Sequence, residues 1–526
     1  MTFSQVFKQF RLRQEEDSAV YHLLGNESND KEKAEDGETA TFDVELGVSP
    51  VDTNNPKKQI FTWRWLRVLS IFLPSFLHIG AAQGQSKNRR PTAWLDGLRG
   101  VTALFVVLHH MSLIWFSWDI HNGWIGWNDH LIQLPIIRLV ISGRPNVMIF
   151  FVISGYALSY KPLSLVRKGE YLKTYQVLAS SIFRRHPRLF IPAILICLPA
   201  PVITHFGGLN GEAMPGAAIG TKNPPRFDTI WGQFGNYITT LLSLSDIYSP
   251  GDINWAYSDS LWTLPIEFKG SLIIFTMLIA LSRCTTRARV VITLCVAFYS
   301  FWYFHWAELL FIGGMLAVEL SLRSQRSASV TEEPGLDDAE DDTEVKRSIS
   351  PWAAPFMSRA FRRSCGVSAF LVTLLLLSMP EQGRGAADSY GFKMLSWLIP
   401  VRFHAAGFAD YFWRPLAAIV LVIVIDRARF LQGIFKTRLA QYLGRVSFAL
   451  YLVHMLILHS LGFWLGKYFL QITGSNSYWQ YGTGVSLAAA VVGCVIIWAA
   501  DLGSRFVDTN AVRFTAWAYR RLLCKI

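Results

Sequence analysis

The chain has 526 residues, of which 51% are hydrophobic and only 17% charged, with 19 tryptophans and a positive mean hydropathy. That balance excludes an ordinary soluble globule and makes lipid part of the solvent. The net charge of +12 would suit nucleic acid, but no compact basic face interleaved with aromatics is present, and basic loops on one side of a membrane give the same excess. Nucleic acid is not an expected partner.

Residues 1–60 are polar, acidic and poor in aromatics, as in EKAEDGETATFDVELG, so they bury too little apolar surface to offset the entropy of ordering. They read as a disordered cytosolic tail, and the charged opening MTFSQVFKQFRLRQEEDSAVYHLL lacks the apolar core of a cleavable signal peptide. The segment 61–83 opens FTWRWLRVLSIFLPSFLHIG; Arg64, Arg67 and basic flanks favour a helix lying in the interface plane over a span.

The rest is expected to form an all-α, polytopic bundle over 84–510. About ten transmembrane helices are expected, near 95–117, 136–160, 189–206, 260–282, 288–304, 306–322, 361–379, 408–426, 446–466 and 482–500. A polar, acidic stretch at 323–360 reads as a flexible cytosolic loop inserted between two groups of spans, and 511–526 as a cytosolic C-terminal tail. Basic connections alternate with less basic ones, which places both termini in the cytosol and the protein in an endomembrane or the plasma membrane. The six cysteines, Cys197, Cys284, Cys295, Cys365, Cys494 and Cys524, show no CxxC spacing, so neither a disulfide framework nor a metal site is expected.

The informative stretch is PTAWLDGLRGVTALFVVLHHMSLIWF, where Asp96, Arg99, His109 and His110 interrupt a first apolar helix. A charge at mid-bilayer costs about 2.5–3.5 kcal/mol, so such residues need a cavity or a partner. At 100° per residue Arg99 and His110 lie within about 20° of each other, whereas His109 is about 80° away. His110 lies about 22 Å past Leu95, and Glu267, entering from the other side after Ser260, about 10 Å deep. Both depths fit one level of the bilayer.

WLDGLRGVTALFVVLHH resembles the first span of acyltransferase family 3, integral-membrane acyltransferases marked by an Arg, ten intervening residues and a His. The resemblance continues in order through IFFVISGYALSY, FRRHPRLFIP, SDSLWTLPIEFKGSLIIF and YLGRVSFALYLVH. It implies an O-acyltransferase that moves an acyl group, by preference acetyl, from acyl-coenzyme A to a hydroxyl of a small molecule, sugar or lipid. It also implies no metal. The partners are then the bilayer, acyl-CoA and the hydroxyl acceptor.

On that reading His110 is the general base. Glu267 is either the carboxylate that orients its ring or the partner of an arginine on another span, with Lys269 nearby as a second neutralising group. Asp96 is either part of the site or an ordinary helix-start acid. Arg99, Arg184, Arg185 and Arg188 are candidates for the phosphates of coenzyme A, with positive-inside anchoring the plainer account of Arg184 and Arg185. Tyr156, Trp262, Tyr451 and His454 are candidate lining for the substrate cavity. A transporter with an intramembrane Asp/Arg/His path is the competing class.

Overall fold

The computed structural model describes residues 73–75, 91–126, 129–209, 212–220, 223–246, 255, 257–331 and 359–523. The expected tail at 1–60, nearly all of the segment at 61–83 and the loop between 332 and 358 lie outside the described residues. Within them the chain is all-helical, and a helix forms at each of the ten expected positions. These are α1 (Ala93–Trp115), α2 (Gly143–Arg167), α3 (Tyr171–Ile196), α4 (Thr263–Ala280), α5 (Thr286–Trp302), α6 (Trp306–Thr331), α7 (Arg359–Leu377), α8 (Trp413–Arg427), α9 (Arg438–Ile457) and α10 (Tyr478–Gly503).

Among the described residues, six helical segments are long and apolar enough to cross a bilayer: Ala93–Trp115, Gly143–Arg167, Tyr171–His205, Ser260–Ala280, Arg438–Thr473 and Tyr478–Leu522. Several boundaries move. The third span was expected from 189 but belongs to a helix beginning at Tyr171, because YLKTYQVLASSIF contains no Pro or Gly to stop it. Helix α6 runs to Thr331, nine residues into the expected loop, and the expected C-terminal tail is mostly an amphipathic helix, Thr509–Leu522, packed on α3. The loop at 207–259 contains the helix Ile230–Ser245.

The most extensive packing pairs α1 with α9 and α2 with α6. Both are close crossings at glycine. A Cβ on Gly100 would lie 2.3 Å from the Gly444 nitrogen, and one on Gly444 2.3 Å from the Asp96 carbonyl oxygen. Gly155 and Gly314 do the same for α2 and α6, with virtual Cβ atoms 2.1 Å from Phe311 O and 2.3 Å from Val152 O. Since lipid is as apolar as the side chains, such backbone approach and its dispersion contacts supply much of the association energy. Helix α1 thereby sits between two apolar clusters. Its Val107, Met111 and Ile114 pack with α3, α9 and α10, while Trp94, Leu95 and Leu98 pack with α2, α6 and α8.

The most deeply buried carboxylate on α6 is paired, as desolvation requires. Glu319 on α6, fully buried, accepts hydrogen bonds from Arg167 on α2 at 2.6 Å and from Arg289 on α5. One carboxylate ties three helices together.

Candidate active site

Two cavities meet inside the bundle. The first, of about 280 Å³, lies toward the N-terminal end of α1, and its polar wall holds Arg99, Arg185, Arg188 and Arg445 against only two carboxylates, Glu267 and Asp508. The second, of about 350 Å³, lies toward the C-terminal end of α1, with His109, His110, Arg144, Trp262, Trp306, Tyr411 and Ser260 in its wall. Val147 and Tyr451 line both.

The first cavity is cationic because the Gly100–Gly444 crossing presents a carbonyl to Arg99: its Nη2 donates to Gly444 O at 2.9 Å. That bond points the guanidinium across α9, and a 3.7 Å pairing with Asp96 one turn earlier steadies it. Its buried Nε has no partner among the described residues. An unsatisfied buried donor among arginines suits an anionic ligand. Arg185 donates from Nη2 to Glu267 Oε1 at 2.9 Å and from Nε to the Ser271 hydroxyl at 2.8 Å, and Ser154 also donates to Glu267 at 3.2 Å. Of the two readings of Glu267, the structure therefore shows the ion pair with an arginine on another helix, in the cavity without His110. Lys269 does not neutralise it; its ammonium pairs with Glu308 at 3.0 Å.

Arg184 is not brought to this group. It turns back to Ser180 O at 3.0 Å, being about 100° around α3 from Arg185. Asp96, fourteen residues before His110, is about 21 Å from it along α1 and makes no capping bond, since Thr92 occupies the cap position. Tyr156 also lies elsewhere. Its OH donates to Asp426 at 3.0 Å in a separate cavity beside Trp94 and Tyr160, because its azimuth on α2 faces α8 rather than α9.

In the second cavity the two adjacent histidines differ. His109 Nδ1 lies 2.6 Å from Ile141 O, and the ring fits because residue 143 is glycine, whose Cβ would stand 2.4 Å from His109 Cδ2. His110 Nδ1 lies 2.9 Å from Val106 O and 3.2 Å from Nε2 of His454, whose own Nδ1 lies 3.2 Å from Leu450 O. The tautomers that satisfy every contact put a proton on Nδ1 of both His110 and His454. The Nε2 lone pair of His110 is then available at the cavity. The groups holding its ring are thus a carbonyl and a second histidine, rather than the carboxylate that one of the two readings of Glu267 offered. His454 stands behind His110 and does not line the cavity; Trp262 and Tyr451 do.

A row of imidazoles continues outward from His109 to His121, ring centroids 5.3 Å apart. His121, on the short turn Trp118–His121, has its pKa pushed down to about 3 by burial first, then by His109, Arg138 and Arg384. It is neutral at physiological pH. Arg138, which donates to His121 O at 2.6 Å, has its own pKa lowered to about 9 by burial and the neighbouring Arg414.

Sequence reasoning missed Arg144, Trp306 and Tyr411 in the second cavity and Arg445 and Asp508 in the first. Arg445 sits inside the late motif YLGRVSF and was the one with a signal to find.

The five motif segments lie on α1, α2, α3, the start of α4 and α9, and each contributes wall to the first cavity. Comparison with known proteins agrees. An acyltransferase domain model of acyltransferase family 3 matches residues 92–500. The O-acetyltransferase PaAT-1 of Phomopsis amygdali is 39% identical over 86% of this chain and 89% of its own length. Acyltransferase R4 of a Phoma species is 22% identical over 82% of this chain and 96% of its own, and acyltransferase clz18 of Cochliobolus lunatus 20% identical over 82% and 97%. No solved structure matches. Between the transporter and acyltransferase readings of the sequence these findings select the second, and with a family model spanning most of its length the chain belongs to acyltransferase family 3 and is an integral-membrane acyltransferase.

Proposed function

We propose that this O-acyltransferase takes a short acyl group from acyl-coenzyme A held in the first cavity and delivers it to a hydroxyl of an acceptor in the second, with His110 as general base. The observation that carries this reading is His110 itself: its Nδ1 is occupied by Val106 O and His454, and its ring borders the cavity that adjoins the arginine-lined one. Arg99, Arg185, Arg188 and Arg445 would hold the phosphates of the donor. His110 Nε2 then removes the acceptor hydroxyl proton as that oxygen attacks the thioester carbonyl. Collapse of the tetrahedral intermediate breaks the C–S bond, and the proton on His110 passes to the departing thiolate, giving the ester and free coenzyme A. Glu267 acts in this scheme by holding Arg185.

The basic connections support cytosolic termini, which puts the arginine-lined cavity on the cytosolic side, where acyl-CoA is made, and the acceptor cavity on the other. Four aromatic side chains, Trp262, Trp306, Tyr411 and Tyr451, set among His109, His110, Arg144 and Ser260, suit an acceptor with both an apolar face and polar groups, a small molecule or lipid.

The acceptor is found as the metabolite whose acyl mass disappears when the gene is deleted. With purified protein, acetyl-CoA and that acceptor, His110→Ala should lower turnover by about 10²–10⁴-fold, and His109→Ala by at most about tenfold. Equal loss in the two variants would overturn the assignment of the base.

A further inference from the structure

The way the two cavities join sets a limit on what can pass between them. A single stripe of α2 lines both: Gly143 and Arg144 face only the second, Phe150 and Ser154 only the first, and Val147 between them faces each. On α9 the same happens at Tyr451, with Arg445 and Phe448 in the first cavity alone. Among the described residues, these two side chains are the only lining the cavities share.

Neither can move aside easily. The Tyr451 hydroxyl donates to Ser260 O and shares a 2.8 Å hydrogen bond with the Thr263 hydroxyl. Its ring is backed by Phe150 and His454, centroids 6.4 and 5.7 Å away. Val147 is β-branched on a helix and so confined to essentially one χ1 rotamer. It also stands one turn from Gly143, whose missing side chain admits His109 and fixes the spacing of α1 and α2.

A thioester whose phosphates remain among the arginines has to extend its acyl end between Val147 and Tyr451 to bring its carbonyl to His110. We infer that Val147 and Tyr451 form the selectivity constriction for the acyl group and that Val147 is the residue restricting the donor to short acyl chains. The inference rests on the donor and base assignments proposed above. With one shared side chain held by hydrogen bonds and the other stiff and branched, neither yields readily to a longer chain, and a fitted apolar slot discriminates one methylene by about 10–200-fold in kcat/KM.

The test is the ratio of kcat/KM for butyryl-CoA to that for acetyl-CoA, measured with one acceptor on detergent-purified protein. Val147→Ala should raise the ratio at least about tenfold, and Val147→Ile should lower it with acetyl transfer still detectable. Tyr451→Phe, which frees the ring from Ser260 and Thr263, should raise it by a smaller factor. Opposite shifts in the Val147 variants support the constriction. A ratio unchanged in any Val147 variant that still turns over acetyl-CoA overturns it, and because Ile differs from Val by a single methylene, the second variant remains informative if Ala fails to fold. Failure of the underlying reading looks different: a wrong donor leaves the unmodified protein with no turnover of any acyl-CoA, and a wrong base leaves His110→Ala as active as His109→Ala.

Discussion

The cavity that holds Arg99 and the cavity that holds His110 share walls from α1, α2 and α9 but are built from different materials. Toward the N-terminal end of α1, four arginines outnumber two carboxylates, and their guanidiniums are aimed by backbone carbonyls and ion pairs, as Arg99 is by Gly444 O and Arg185 by Glu267. Toward the C-terminal end, the lining is aromatic and imidazole, and the one arginine, Arg144, is held by Glu381 at 3.4 Å. The lesson is a division of labour along one helix. Fixed charge binds a ligand but cannot exchange a proton near neutral pH, whereas neutral imidazole can exchange a proton but binds phosphate poorly. On the proposed reading, eleven residues, about 16 Å of α1, would keep the two tasks apart.

The comparison is broken most forcefully at the cationic end. Arg99→Ala removes a charge-assisted contact and should raise the KM for acyl-CoA by about 10–150-fold while leaving the acceptor KM within about twofold. Equal effects on both substrates, measured by steady-state titration of each, would mean that the cavities do not divide donor from acceptor. The converse variant, Trp262→Ala, should raise the acceptor KM by about tenfold with the donor KM little changed. Acid sharpens the contrast by a smaller amount. His121 stays neutral in the fold down to about pH 3, while in the unfolded chain it takes up a proton below about pH 6.5. The unfolded state therefore binds more protons in that window, and stability falls as pH drops through it, by about 1.4 kcal/mol per pH unit from this one group. Thermal melts of the wild type and His121→Gln between pH 7.5 and 5 should show the variant losing less on acidification; parallel curves would contradict it.

Much of this arrangement was legible in the residues. Apolar length put a helix at each of the ten expected positions, six of them in segments long and apolar enough to cross a bilayer, and the 100° periodicity placed Arg99 and His110 on a common stripe that the two adjoining cavities now occupy. Periodicity gives the azimuth of a side chain on its own helix and says nothing of which helix stands opposite. That is why Tyr156, inside a motif segment, faces Asp426 on α8 rather than the site, and why Glu267, at a suitable depth, meets Arg185 and Ser154. His454 was visible as a member of the Ser447, Tyr451, His454 face of α9, but its contact with His110 depends on the Gly100–Gly444 crossing that brings α9 against α1. The early start of α3 was missed for another reason. Its first turns are amphipathic rather than apolar, so a reading keyed to spans passed over them.

On the proposed reading, donor binding and proton transfer reside in different cavities joined at Val147 and Tyr451. The most direct measurement is calorimetric binding of acetyl-CoA to His110→Ala, paired with release of free thiol from the same preparation in the presence of acceptor. Acetyl-CoA affinity should stay within about threefold of the unmodified protein and thiol release should fall by about 10²–10⁴-fold. Thiol release at the unmodified rate, or loss of donor binding together with activity, would contradict it.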